Sequence, residues 1–490
     1  MTRTGKEYLE SLRDGRVVWL DGERVTDLPS HPAFRRSVGS VAQLYDMTHD
    51  AAWSDTLTTA GPEPDATMSR AYQIPRSADD LRARGRAFKL WSEATFGFLG
   101  RSPDYMASAV AGFATVPEVF AGSGFDGSAN VLAHWRRMAA GDLYQSHTLV
   151  NPQYDRTRAP SESDAEDSPY LRVVAERDGG VVVRGAKMIG TAAAFGDEIL
   201  VGVTQRMAPT EADHALSFSV PVATPGVTFI SRKSYEGRAP SVFDYPLSSR
   251  FDENDALVVY DDVFVPWERV FAYRDPEVCH QQFWRTPAFL SFVHHSATRL
   301  WTKLEFLTGV AILVARANNT YDLPPVRMQI GRIMSWVNTA KALVVAAEDR
   351  CEPVPGGDGA VMPDRELCHA QLAVGPELYP KVINEIKLLA GGGLIQLPAS
   401  FRDLLQPEEA RLLGRYVRTP GQDSEQRIKL LKLAWDAVGS EFASRHDQYE
   451  RFHHGSPHVV LPAIVREGDA DGYADLARRC LDGYDLVDHS

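Results

Sequence analysis

Residues 170–190 read YLRVVAERDGGVVVRGAKMIG. Two β-branched runs flank Asp178-Gly179-Gly180, a turn signal, so a hairpin is predicted. The same texture extends outward from Tyr144 to about residue 275. EILVGVT (198–204), LSFSVPV (216–222), VTFIS (227–231) and ALVVYDDVFV (256–265) are short apolar or alternating runs. Several such strands with turns between them predict a sandwich or barrel. The stretch 155–168, DRTRAPSESDAEDS, is acidic and Ser/Pro-rich and reads as a solvated loop.

Both flanks have helical texture. Thr4 and Glu7 form a capping-box pattern that opens a helix ending near Gly15. VVWL, Asp21-Gly22 and ERV then read as a small hairpin. Helices are expected at 33–50, 77–97, 104–120 and 128–140, with Ser77 capping the second and Asp79 and Asp80 in its first turn. After Pro276, Val326, Ile330, Ile333, Val337, Ala340 and Val344 recur at spacings of four and three, one buried stripe of a long helix. Further helices are expected at 281–316, 376–390 and 422–452, and long amphipathic helices of this kind pack as an antiparallel bundle. The order is helical, β, helical: an α+β chain with its β domain in the middle.

A chain of 490 residues exceeds what one hydrophobic core supports. The net charge of −13 argues against sequence-independent binding to nucleic acid or an anionic membrane. The four cysteines (279, 351, 368 and 480) include no CxxC pair, so neither a zinc ribbon nor a disulfide framework is indicated, and a reducing cytoplasm is the default. MTRTGKEYLESL lacks the apolar stretch of a signal peptide, and no run of 18 apolar residues exists to span a membrane.

Gly122, Gly124 and Gly127 spell GxGxxG, but no strand precedes them and no βαβ pattern surrounds them. A helix–helix turn is expected there, not a dinucleotide site. His453, His454 and His458 lie close together, yet Gly455 and Pro457 break the helix that would align them, and no metal site is expected. No GxSxG elbow is present. In FGFLGRSPDY, Arg101 and Tyr105 are four apart, which on a helix gives one face a guanidinium and a phenol fit for an anionic oxygen. Ser102 would cap that helix. His147 opens the β region as a satisfied core histidine or, in a cleft, a hydrogen-bonding partner or base. Thr191 follows Gly190 at a strand mouth where small residues would let a flat ligand approach the backbone.

Taken together these segments resemble one family. RTGKEYLESLRDGR, HPAF, GRSPDY, HTLVNPQ, GAKMIGTAAAFGDE, FDENDALVVYDDVFVPWERV, HHSATRLWTKLEFLTGVA, LLAGGGLIQLP and YERFHHG, in this order, are similar to the oxygenase component of 4-hydroxyphenylacetate 3-hydroxylase and its chlorophenol-monooxygenase relatives. The resemblance implies an acyl-CoA dehydrogenase-like fold with an N-terminal helical domain (1–143), a middle β-barrel (144–275) and a C-terminal four-helix bundle with a tail (276–490). It implies a homotetramer with flavin bound between subunits. It also implies ortho-hydroxylation of a phenol through a flavin hydroperoxide, with FAD delivered as FADH2 by a separate NAD(P)H-dependent reductase and O2 as co-substrate. Arg101, Tyr105 and His147 match the residues around the phenol oxygen. His147, Gln153, Arg156 and Thr191 match flavin contacts, as does the stretch His453, His454, Gly455 and Ser456. The double histidine at 453–454 departs from the pattern, as does His294-His295, where the family leads one to expect His-Gln. Rival readings keep the scaffold and change the chemistry. They are a non-phenolic aromatic substrate, an acyl-CoA dehydrogenase-like enzyme, a scaffold that has lost flavin chemistry, or a 4-hydroxybutyryl-CoA dehydratase-like enzyme. The last needs cluster thiolates, and no cysteine stands at 96–110 or 285–305.

Overall fold

The computed structural model describes residues 2–155, 157–162, 168–455 and 457–484. The capping box at Thr4 and Glu7 forms as read and opens the helix Gly5–Ser11. The hairpin Val17–Leu20/Glu23–Val25 turns on Asp21 and Gly22, both at positive φ, as a two-residue turn of this kind requires. It does not stand alone: Val17–Leu20 pairs in parallel with Val227–Ser231. Next in that sheet come Asp255–Pro266, Gly180–Thr191 and Arg172–Arg177, making six strands. A second sheet of four strands orders Val270–Tyr273, Leu216–Pro221, Glu198–Val201 and Gln145–Thr148.

The expected barrel is therefore two open sheets, and among the described residues neither closes on itself. Short strands with turn signals are common to both architectures, and the pattern does not say which edges pair. Val181, Val183, Ile199, Val201, Phe218 and Val258, drawn from both sheets, share one buried core. Along Asp255–Pro266 the inward residues are 256, 258 and 260, then 263 and 265. The register shift between Tyr260 and Val263 is a bulge that keeps apolar side chains inward past the exposed Asp261-Asp262.

The helical expectations hold with four corrections, the first being that the 104–120 helix is Pro103–Thr115 followed by a separate 3-10 turn, Pro117–Phe120. The stripe Ile330, Ile333, Val337, Ala340 and Val344 is the buried face of Pro324–Asp349, while Val326, in its first turn, is only half-buried. The 281–316 segment is two helices, Pro276–Trp284 and Ala288–Ala317, parted just before Pro287, which takes the last position ahead of the second. The 376–390 helix starts earlier, at Arg365, where Asp364 accepts the Leu367 N–H; Pro376 and Pro380 lie inside it. The 422–452 segment breaks at Gly439-Ser440, where Ser440 caps Glu441–Phe452. The glycine string is a turn: Gly122 N–H donates to Phe125, and a Cβ on Gly127 would meet the Phe271 carbonyl at 2.0 Å. Among the described residues, no helix is long and apolar enough to cross a membrane.

Candidate functional site

Three helices and two strand ends converge on one cluster. Pro103–Thr115 is buried almost throughout and carries Tyr105. Ala288–Ala317 brings Phe292, His295, Ser296 and Arg299. Glu441–Phe452 presents Arg445 and Tyr449 one turn apart, with His453 one turn further at its end. The strand Gln145–Thr148 carries His147, and Gly180–Thr191 ends on Thr191.

Arg101 does sit with Tyr105, but not for the reason its spacing suggested. It lies in the loop before the helix, and its guanidinium covers the Tyr105 ring at 4.1 Å. Ser102 does not cap the helix; its hydroxyl donates to Asp104 at 2.5 Å. Asp104 in turn pairs with His295 at 3.0 Å, both buried. Tyr144 Oη donates to the Arg101 carbonyl, and the Arg101 N–H donates to Glu253. The loop is thus pinned by its backbone while the guanidinium remains for other work.

Tyr105 stacks on Phe292 at 4.5 Å and 13°, and His147 lies 5.6 Å from Tyr105 and 6.2 Å from Phe292, centroid to centroid. Among the described residues, neither Tyr105 Oη nor the His147 ring makes a hydrogen bond. Burial and then the Arg101 charge hold the His147 pKa well below its ordinary value, so the ring is a neutral imidazole at physiological pH. Burial raises Tyr105, which keeps its proton.

Three guanidiniums surround Tyr449: Arg445 at 4.9 Å, Arg101 at 5.1 Å and Arg299 at 5.3 Å from the ring centroid. Arg299 makes two bonds of 2.7 Å to Glu450. Arg445 holds Asp255 at 2.6 Å and Glu253 at 3.1 Å. Arg101 has no carboxylate partner for its side chain among the described residues.

Thr191 is buried, and its hydroxyl donates to Asp255 at 2.6 Å. Burial would raise the Asp255 carboxyl, but Arg445 and Arg232 outweigh it and hold the group far below the carboxylate range. The Thr191 proton is therefore committed; its oxygen takes a long 3.4 Å bond from Arg445 Nη2 and keeps a second lone pair as an acceptor. His453 stacks on Tyr449 at 4.6 Å and has its pKa lowered to about 3, burial being the main cause; its Nε2 is buried without a partner. His454 Nε2 pairs with Ser296 Oγ at 2.5 Å. Gly455 adopts φ +109°, open to glycine.

Of the sequence-predicted residues, Arg101, Tyr105, His147, His453 and His454 come together, and Thr191 joins through Asp255, Arg445 and Glu253. Gln153 is exposed on its loop and does not join them. His294 forms a separate buried pair with Glu348 at 2.8 Å; His295 is the one that meets the Tyr105 ring, at 5.3 Å. Arg156 and Ser456 lie outside the described residues. Tyr449, Arg445, Asp255 and Phe292 were not singled out from the sequence. The spacing of Arg445, Tyr449 and His453, four apart, was the available signal. The described residues hold no group of three His, Cys, Asp or Glu side chains arranged to bind a metal.

Among the described residues, the cluster offers a planar ligand neutral acceptors (Thr191 Oγ1, His453 Nε2), neutral donors and one cation without a carboxylate partner, Arg101. That donor set fits the N–H and carbonyl edge of a flavin beside a phenolic oxygen.

Two sheets joined to long helices give the chain a fold like that of the acyl-CoA dehydrogenase-like class of structures. The glutaryl-coenzyme A dehydrogenase structure superposes with a TM-score of 0.51 at 11% identity, over 81% of this chain and 83% of that one, a likeness of fold alone. An archaeal 4-hydroxybutyryl-CoA dehydratase from N. maritimus reaches a TM-score of 0.90 at 23% identity, over 100% of this chain and 97% of that one, again a likeness of fold. Within this class the chain belongs to the 4-hydroxyphenylacetate 3-hydroxylase family: residues 4–272 match the model of its N-terminal part and 279–482 that of its C-terminal part. It is 37% identical to the 4-hydroxyphenylacetate 3-monooxygenase oxygenase component of Pseudomonas aeruginosa, over 98% of this chain and 93% of the relative. A solved oxygenase component of 4-hydroxyphenylacetate 3-monooxygenase, complexed with FAD and 4-hydroxyphenylacetate, superposes with a TM-score of 0.92 at 33% identity, over 98% of each chain.

Proposed function

We propose that this chain is the oxygenase component of a two-component monooxygenase that hydroxylates a phenol ortho to its hydroxyl group, using O2 and FADH2 supplied by a separate reductase. Family membership supports the reaction class. The observation that carries the phenol is Arg101: of three arginines around Tyr449, it is the one whose charge no carboxylate cancels among the described residues. An unmatched buried cation is costly unless a ligand supplies the anion.

When bound, FADH2 activates O2 and supplies an electrophilic oxygen. The chain's residues prepare the ring to receive it. A free phenol ionises near about pH 10, and its phenolate is the more nucleophilic form. Arg101 stabilises that phenolate by charge, and Tyr105, kept protonated, donates to the same oxygen. A lowering of the phenol pKa by about 2 units would represent roughly 2.7 kcal/mol in favour of the phenolate. His147 stays neutral, so it shares a hydrogen bond without adding a second charge. Thr191 Oγ1 and His453 Nε2 would accept from the flavin. Phe292 and Tyr105 form an apolar wall that keeps water from the reacting ring.

The chain works as a homotetramer in this reading. Ile395, Leu405, Tyr416, Val465 and Tyr473 are exposed apolar side chains that a neighbouring subunit would cover. The test is a panel of phenols with FADH2 regenerated by a flavin reductase and mass detection of one added oxygen atom. At least one phenol should yield product, and His147→Ala should bind FADH2 yet give less product per FADH2 consumed. Product from no phenol, by a protein that binds FADH2, would sink the reading.

A further inference from the structure

Five side chains form one column through the site. His453 stacks on Tyr449 at 4.6 Å and 8°; the Arg101 guanidinium covers both Tyr449 (5.1 Å) and Tyr105 (4.1 Å); Tyr105 stacks on Phe292 at 4.5 Å. Aromatic faces of this kind attract a guanidinium and restrict its rotation. The hydrogen bonds then fix its orientation. Arg101 Nη1 donates to the Gly100 carbonyl at 3.2 Å and to Tyr449 Oη, and Nη2 reaches the His453 carbonyl at 3.5 Å. A guanidinium has five N–H donors. Those bonds leave the Nε–H and one Nη2–H without a protein acceptor among the described residues. Gly100 is part of the arrangement: a Cβ there would lie 2.4 Å from Tyr449 Oη and push the phenol away from Arg101.

We infer that Tyr449 is a positioning residue for Arg101. It occupies the Nη1 donor and one face of the guanidinium, so that the remaining donors are held ready for the substrate's phenolic oxygen. The inference rests on the reading that Arg101 binds that oxygen. Arg299 and Arg445, also over the Tyr449 ring, keep their own carboxylates and make no hydrogen bond to Tyr449 Oη. The hydroxyl serves Arg101 among the three.

The experiment uses the full chain saturated with FADH2 under argon and 4-nitrophenol as the probe, because its phenolate is coloured. Affinity and the share of bound probe present as phenolate are read from visible absorbance. Tyr449→Phe keeps the ring and removes the acceptor. It should weaken 4-nitrophenol binding roughly tenfold, the value of one hydrogen bond to a charged donor, and lower the phenolate share, with FADH2 affinity unchanged. Tyr449→Leu, which also removes the stack, should go further in the same direction. Arg101→Met should abolish the phenolate signal, and adding Tyr449→Phe to it should change nothing more. An unshifted phenolate share in Tyr449→Phe alongside a lost one in Arg101→Met overturns the positioning role and leaves the phenol site standing. Additive effects in the double variant overturn it too. An unchanged signal in Arg101→Met overturns the phenol reading itself and this inference with it.

Discussion

Arg299 and Arg101 lie against the same tyrosine ring, at 5.3 and 5.1 Å, in opposite electrostatic conditions. Arg299 is fully buried with a two-pronged bond to Glu450, which also takes Lys303 at 2.9 Å, while Lys303 in turn reaches His446 at 3.0 Å. Both cations there bond directly to one shared carboxylate. Around the Arg101 guanidinium the partners are phenols, imidazoles that stay neutral and backbone carbonyls; the Glu253 carboxylate nearby takes the Arg101 backbone N–H and, among the described residues, makes no ion pair with the side chain. The first arrangement ties Ala288–Ala317 to Glu441–Phe452 and holds the fold. The second is complete only when something anionic arrives. A buried cation therefore signals a site when its surroundings withhold the counter-charge.

The strongest attempt to break this contrast is Glu450→Gln. It strands Arg299 and Lys303 without their anion and should cost about 3–5 kcal/mol, read from urea midpoints. Burial would raise the Glu450 carboxyl, but Arg299 and Lys303 outweigh it and hold the group far below its ordinary range. Its contribution is therefore full above the unfolded value of about 4.3 and fades as pH falls below it. The parent should lose stability in acid more steeply than the glutamine variant. A Gln variant as stable as the parent would erase the distinction.

Arg101→Met is the complementary change. Phenol kcat/KM should fall roughly ten- to hundredfold, as expected for a lost charge-assisted bond, while stability shifts by less than about 1 kcal/mol. Loss of stability with intact turnover would reverse the assignment of the two regions.

A third measurement sharpens the contrast through pH. His147, His446 and His454 are held well below the ordinary histidine value, chiefly by burial, and His453 is lowered to about 3. Such rings resist protonation in the fold but accept it when unfolded. Their contribution is full above about pH 6.5 and is lost as pH falls, by up to ~1.4 kcal/mol per pH unit for each ring. Urea midpoints between about pH 7.5 and 5.5 should fall accordingly, and His147→Gln should flatten the slope. An unaltered slope would mean that His147 is charged in the folded protein.

The smallest effect belongs to Thr191→Val. Removing one donor to Asp255, which keeps Arg445 and Arg232, should cost about 1 kcal/mol. Hydrogen peroxide released per FADH2 should rise at unchanged phenol KM. Unchanged peroxide release would remove Thr191 from the oxygen-handling side of the site.

Local signals in the sequence survived into the structure: the Thr4 box, the Asp21-Gly22 turn, the stripe through Ile333. Each depends on residues within a turn or two of one another. Pairing over long distance did not survive. Nothing in the periodicity told a barrel from two sheets, or tied the 17–25 hairpin to residues 227–231. The site divides in the same way. Arg101, Tyr105, His147 and Thr191 were candidates because motif and resemblance pointed to them. Asp255 and Arg445, which fix Thr191, are separated by most of the second half of the chain, and a charged pair of that kind leaves no pattern. The Arg101–Tyr105 contact was anticipated from helical spacing, yet a loop makes it.

The hairpin at Val17–Val25 carries a consequence for the birth of the chain. Its sheet partner is encoded roughly 210 residues later. At about 5–20 residues per second of synthesis, the hairpin waits on the order of 10–40 s with one edge bare. Bare edges invite pairing with other nascent chains. Glu23 and Arg24, both exposed on the outer strand, put charge on the far side of that ribbon. The inner edge has no such guard, and its safety during translation depends on how soon Thr228 leaves the ribosome.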